Sequence, residues 1–142
     1  MLELFPLCEM MVELEPSLVV GVGTSGERSI GAFRSVTVTG ERLSATLAGP
    51  AAADFMIRTG AIGAIDARLT LRTHDGALIY VSYRGRLDLS DRTAGFFARI
   101  APLFETGDER YAWLNAVQAI GKGKLTFSAD GGRLDYKLFA IA

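Results

Sequence analysis

Apolar and polar residues alternate along most of this chain. Over residues 2–14, Leu2, Leu4, Cys8, Met10, Val12 and Leu14 share one parity, while Glu3, Glu9 and Glu13 take the other with Phe5 and Met11. A period of two is that of a half-buried strand. Pro6 cannot donate to a ladder, so it predicts an edge position or a bulge. Residues 28–38 and 41–47 read as strands joined at Thr39-Gly40, and residues 54–58 form a short strand after the Gly49-Pro50 turn. The glycine-rich stretch 21–26 reads as a mobile loop at the rim of the fold. It has neither the following amphipathic helix nor the lysine of a phosphate-binding loop.

Residues 64–73 and 77–84 flank His74-Asp75-Gly76 and make the strongest hairpin signal in the chain. Parity decides its register. A two-residue loop would pair Leu71 with Tyr80 and Arg72 with Ile79, mixing polar and apolar side chains on both faces. A three-residue loop places Thr73 opposite Ala77. Ala67, Leu69, Leu71, Ile79, Val81 and Tyr83 then share one face, and Asp66, Arg68, Thr70, Arg72, Tyr80, Ser82 and Arg84 the other. A one-residue slip would exchange the faces, so the segregated register is expected, with Gly76 in the left-handed position of a bulged turn.

Further on, Phe97, Ile100 and Phe104 could form a helical stripe, but Pro102 interrupts it and the aromatic content favours a strand over residues 96–105. Asp108 is placed to cap a short helix running through Trp113 to about Asn115. Residues 117–127 and 133–141 form a last hairpin around Asp130-Gly131-Gly132. Eight to ten strands and one brief helix near 108–115 leave a sandwich or a barrel. Pairing the long first and last strands would remove both open edges. The expectation is therefore an all-β fold, an antiparallel β-barrel, in a single domain over residues 1–142.

Composition narrows the partners. The 15 basic and 16 acidic residues nearly balance, with a pI near 5.8, which gives no reason to expect nucleic acid or an anionic membrane as partner. The apolar fraction of 49% is high for a soluble domain. Some of that surface is expected to be covered by a second subunit, most simply in a two-fold dimer. A single cysteine, Cys8, rules out an internal disulfide and a multi-cysteine metal site. No stretch approaches the length of a spanning helix or a signal peptide, so a cytoplasmic protein is expected.

The lone histidine, His74, sits at a hairpin tip, which leaves no Ser-His-Asp or Cys-His arrangement and no zinc ligand set. No EF-hand spacing is present. No metal and no cofactor are expected. What remains is proton transfer by Asp, Glu or Tyr with Arg as an electrostatic partner. Asp66, Arg68 and Tyr80 lie on one face of the central hairpin and could bind a carbonyl, a carboxylate or a phenol; the same face could equally be a solvated outer wall. Glu105 is either a general base at the barrel mouth or a turn acceptor for backbone N–H groups. Tyr111, Trp113 and Asn115 accompany it, Trp113 as ligand platform or as structural plug. Asp54 and Arg58 are two turn-adjacent charges without a spacing signature.

Three segments together carry a resemblance: Leu71-Arg72-Thr73-His74-Asp75-Gly76-Ala77-Leu78-Ile79-Tyr80-Val81, Phe104-Glu105-Thr106-Gly107-Asp108, and Arg110-Tyr111-Ala112-Trp113-Leu114-Asn115. With Ile65-Asp66-Ala67-Arg68 upstream, nearly the whole chain resembles the bacterial and fungal family known as domain of unknown function 3237. That resemblance implies a small β-barrel of the allene-oxide-cyclase-like or lipocalin-like kind, and little chemistry. The family commonly carries Asp-Trp where this chain has Asp54-Phe55, so a ligand served by that tryptophan would not be shared. Likeness of barrel type to cofactor-free cyclases is an analogy of fold alone.

Two functions from different classes follow. One is a barrel that binds a small organic ligand, as a cofactor-free acid–base isomerase, cyclase or lyase. The other is a non-catalytic oligomeric module. Under the first, the polar hairpin face is expected to line the lumen, Arg68 orienting an anionic or carbonyl oxygen. Asp66 would then hold Arg68 or accept a proton, Tyr80 would donate a hydrogen bond, and Trp113 would stand near the rim.

Overall fold

The computed structural model describes residues 1–142. Its strands are β1 (Leu4–Leu14), β2 (Leu18–Gly23), β3 (Gly26–Thr39), β4 (Ala45–Leu47), β5 (Ala53–Thr59), β6 (Ile62–Thr73), β7 (Leu78–Asp88), β8 (Phe96–Ile100), β9 (Leu103–Glu105), β10 (Ala119–Ser128) and β11 (Gly131–Ile141). A 3-10 helix, Glu109–Ala116, lies between β9 and β10. Antiparallel pairings run β6-β5-β3-β1-β11-β10-β8-β7, and β7 pairs back onto β6, giving a ring of eight strand positions. The chain ends close it as expected: Leu4 faces Ile141 and Leu14 faces Gly132. Two positions are shared. Short β4 continues the place of β5 between β3 and β6, and β9 continues that of β8 along β7.

Local chemistry accounts for the breaks. The β1–β11 register shifts between Pro6 and Cys8, so the proline sits at a bulge. Pro102 splits the stretch expected as one strand into β8 and β9, because it has no N–H to carry the ladder on. Residues 41–44 do not join the sheet. The stretch 21–26, expected as a loop, is instead the turn end of a β2–β3 hairpin, with Gly23 opposite Gly26. Backbone pairing needs no side-chain alternation, so valine and glycine suffice there. No helix is long and apolar enough to cross a membrane.

The central hairpin has the expected register. The Thr73 N–H donates to the Ala77 carbonyl at 2.9 Å, Leu71 faces Ile79 and Thr70 faces Tyr80, with Gly76 at φ +93°. Its faces, however, point the opposite way from the expectation for a ligand site. Ala67, Leu69, Leu71, Ile79, Val81 and Tyr83 are all buried in the ring interior, none above 3% exposed. Asp66, Arg68 and Tyr80 therefore belong to the outer wall. Burying an aliphatic side chain is worth about 1.5–3 kcal/mol, and an unpaired charge taken inside costs more than that. The apolar face therefore goes in.

The 3-10 helix plugs the end of the ring marked by the His74-Gly76 turn. Asp108 caps it by accepting the Arg110 N–H at 2.9 Å, and Tyr111 and Leu114 are buried beneath it. The Tyr111 hydroxyl donates to Asp75 Oδ1 at 2.8 Å, and Arg110 pairs with Asp75 at 3.3 Å and with Asp108 at 2.8 Å, which latches helix to hairpin tip. One end of the barrel is therefore shut.

Candidate functional site

The opposite end opens into a cavity of about 230 Å³ in which 13 of 19 lining residues are hydrophobic. Inward parity supplies them: Phe33 from β3, Met56 from β5, Ile65 from β6, Leu87 from β7, Leu125 from β10 and Leu134 from β11. A mostly apolar wall with few polar groups is the usual character of a small-molecule site.

The polar groups fall into two levels. Asp54, Met56 and Arg58 alternate inward along β5 toward the Thr59-Gly60 turn, so Arg58 lies roughly 13 Å nearer the rim than Asp54. Arg58 is cross-strand from Glu27, and its Nε donates to the Gly60 carbonyl at 2.7 Å. Both therefore stand at the mouth. Deeper, Asp54 is opposite Ala67 and Ala67 is opposite Tyr83, so carboxylate and phenol occupy one row across β5, β6 and β7. Tyr136 packs edge-on to Tyr83 with ring centroids 6.1 Å apart.

Asp54 accepts a single protein hydrogen bond, from the Asp66 N–H to Oδ1 at 2.9 Å. The β5–β6 ladder lapses between Asp54 and Ile57, which frees that N–H for the side chain. Burial pushes the Asp54 carboxyl up to about 6; the Asp66 N–H opposes this and the Asp66 charge adds to it. Burial likewise drives both phenols well above the usual tyrosine range, so they stay protonated, and Asp54 lies near enough to add to both shifts. Each phenol also shifts the other, Tyr83 upward and Tyr136 downward, through an approach of their hydroxyls that stops short of hydrogen-bonding geometry, so the buried Tyr136 hydroxyl has no completed hydrogen bond. An unpartnered buried hydroxyl is costly, and a bound molecule is one way to satisfy it.

The residues expected from sequence separate clearly. Asp54 and Arg58 line the cavity. Asp66 serves it only through its backbone N–H, its carboxylate lying 3.9 Å from exposed Arg84. Arg68 projects outward over the Phe55 ring at 5.9 Å. Tyr80 is exposed and faces Glu105 across the outer wall, so Glu105 is not at the open mouth. Tyr111, Trp113 and Asn115 belong to the plugged end: Tyr111 holds Asp75, Arg42 stacks on Trp113 at 3.7 Å, and Asn115 exchanges two hydrogen bonds with the Thr106 backbone. Tyr83 and Tyr136, absent from the sequence expectation, line the cavity as well. The available signal was their inward parity, which puts a hydroxyl among aliphatic neighbours.

Comparison with known proteins bears out the fold. The chain is 33% identical over 110 residues to a UPF0311 protein from Bradyrhizobium diazoefficiens, covering 66% of this chain and 72% of that one. Among solved structures, a β-barrel-like protein from Acinetobacter baumannii matches with a TM-score of 0.85 and 26% identity, over 100% of this chain and 97% of that one. A structure described as an enzyme from Penicillium herquei matches with a TM-score of 0.73, over 99% of this chain and 95% of that one; at 21% identity that likeness is one of fold. The family described as protein of unknown function, DUF3237, matches residues 2–141, and the chain belongs to it.

Proposed function

We propose that this DUF3237 barrel is a cofactor-free acid–base catalyst acting on one small, mostly apolar organic molecule held in its lumen. The observation that carries this reading is the Asp54 carboxylate, set in an apolar cavity with one backbone N–H as its only protein partner. A carboxyl held near 6 is ionised at neutral pH yet basic enough to take a proton and return it. Isomerisation, cyclisation and elimination can each run on such a transfer. That a barrel of the same fold from Penicillium herquei is described as an enzyme lends support.

The test is a thermal-shift screen of small carboxylates, phenols, flavonoids and terpenoids. A ligand at a hundred times its Kd adds about 2.7 kcal/mol, which raises the Tm by several degrees. Gly31 lines the cavity, its nearest neighbours to an added Cβ are Leu14 and Ser17 at 3.8 and 4.0 Å, and its φ is ordinary. Gly31→Phe is therefore expected to fill the cavity and abolish the shift, while Arg68→Ala on the outer wall keeps it. The reverse pattern sinks the lumen reading.

A second reading, an oligomeric module, is favoured by β2. This uncharged strand pairs only with β3, and Leu18, Val19, Val20 and Val22 are all more than 60% exposed along it. Such an edge is a pairing hazard unless covered, and a two-fold dimer joining β2 to its copy would cover it. Light scattering is expected to give a dimer mass; a monomer at high concentration removes this reading.

A further inference from the structure

We infer that the lumen is built for a neutral, enolisable carbonyl compound with an apolar body, whose double bond shifts by proton transfer between carbons. This deepens the reading of Asp54 as the base and rests on it. The row Asp54–Ala67–Tyr83 sets base and phenol two strand spacings apart, about 9–10 Å between Cα atoms. Side chains from both ends of that row line the same cavity of about 230 Å³. Tyr136 stands edge-on beside Tyr83, with a buried hydroxyl that the Tyr83 phenol approaches without completing a hydrogen bond. The cavity therefore combines one carboxylate that can take a proton with two phenols that stay protonated, which is the pairing an enolisation requires.

Other ligand classes fit less well. A deep carboxylate or phosphate would face Asp54 with no cation at its level, because Arg58 lies at the mouth and its Nε is already engaged by Gly60. Nucleophilic chemistry has no activated bearer: Ser17 and Ser29 line the cavity, but the one histidine, His74, is at the plugged end. Cys8 is buried outside this cavity, with its thiol pushed up to about 12 by burial.

The step balances without a co-reactant. Asp54 takes the proton from the carbon next to the carbonyl. The C–H pair becomes a C=C bond and the carbonyl π pair moves onto oxygen, where tyrosine hydroxyls donate to it. The enolate then reclaims the proton from Asp54 at the far carbon of the double bond, giving the conjugated isomer. One carboxylate base paired with neutral donors in an apolar pocket is a known way to run this chemistry near pH 7.

Two probes test it: β-tetralone, whose carbon-bound protons next to the carbonyl exchange with D2O through the enol, and β-naphthol, the aromatic likeness of that enol. Wild type is expected to bind β-naphthol and to accelerate deuterium uptake by β-tetralone, read by mass spectrometry. Tyr136→Phe is expected to weaken β-naphthol binding roughly tenfold, the worth of one hydrogen bond. Asp54→Asn is expected to abolish the exchange while still binding β-naphthol. Exchange unchanged in Asp54→Asn, or β-naphthol binding unchanged in Tyr136→Phe, overturns the inference. If β-naphthol does not bind but other hydrophobic ligands do, in a way Gly31→Phe blocks, the lumen site stands and the carbonyl assignment falls. β-Naphthol binding undiminished by Gly31→Phe removes the lumen reading itself.

Discussion

Asp54→Asn is expected to make the protein more stable at pH 7.5 by about 2 kcal/mol, a rise in Tm of roughly 4–8 °C. The carboxyl moves from an ordinary 3.8 to about 6 on folding, because burial disfavours its charged form. Between those values the folded protein holds a proton that the unfolded chain has released. The Asp54 contribution to stability is therefore most favourable below about pH 4, falls as pH rises through 6, and is flat beyond. Each pKa unit is worth about 1.4 kcal/mol, so the full shift sets an upper bound near 3 kcal/mol. Asparagine cannot ionise, and its Oδ1 can still accept the Asp66 N–H. The variant should accordingly match wild type near pH 4 and pull ahead as pH rises. Asp75, Asp88, Asp91 and Asp108 titrate below the usual carboxylate range, held down chiefly by side-chain hydrogen bonds. They are common to both proteins and cancel in the difference. Thermal melts from pH 4 to 8 check this; a gap that does not widen with pH would show that Asp54 is not desolvated. A residue whose charge costs stability in this way is the kind kept for its chemistry.

The parts of this fold that could be read from sequence are those where side-chain parity and backbone demand agree. The His74-Gly76 hairpin is one, since a slip would invert six apolar and seven polar positions. The Asp108 cap is another. So is closure through β1 and β11, which follows from two long strands with no other way to hide their edges. Parity separates two faces but does not say what covers each, and the site expectation failed on that point. Asp66, Arg68 and Tyr80 were correctly grouped on one face, and that face meets solvent. Conversely, Tyr83 and Tyr136 look like core aromatics in one dimension. They become site residues only because the helix closes one end of the ring and leaves the other open, an asymmetry of tertiary packing. Asp54 carried a weak signal of its own, a charge sharing its parity with Met56.

Gly123→Ala is expected to cost about 3 kcal/mol, a fall in Tm of roughly 6–12 °C. Gly123 lies on β10 opposite Tyr136 on β11, and the Tyr136 ring lies down over it; an added Cβ would stand 2.7 Å from Cε1 and 2.9 Å from Cγ. No real contact is that short, so the ring must retreat. Its path is blocked by Tyr83, edge-on at 6.1 Å and itself buried, and a close-packed interior transmits the displacement. The small gain from reduced chain entropy in replacing a glycine does not offset this. By contrast Gly23→Ala, where an added Cβ meets nothing within 4 Å, should stay within about 0.5 kcal/mol of wild type. In a Tyr136→Ala background the Gly123 methyl has no ring to strike, so most of its cost should vanish, a coupling of about 2 kcal/mol in the double-mutant cycle. Additive losses would mean that Gly123 is required by the strand rather than by the tyrosine. Coupled losses would mean that the missing side chain on β10 is what lets the Tyr136 ring lie flat against the wall.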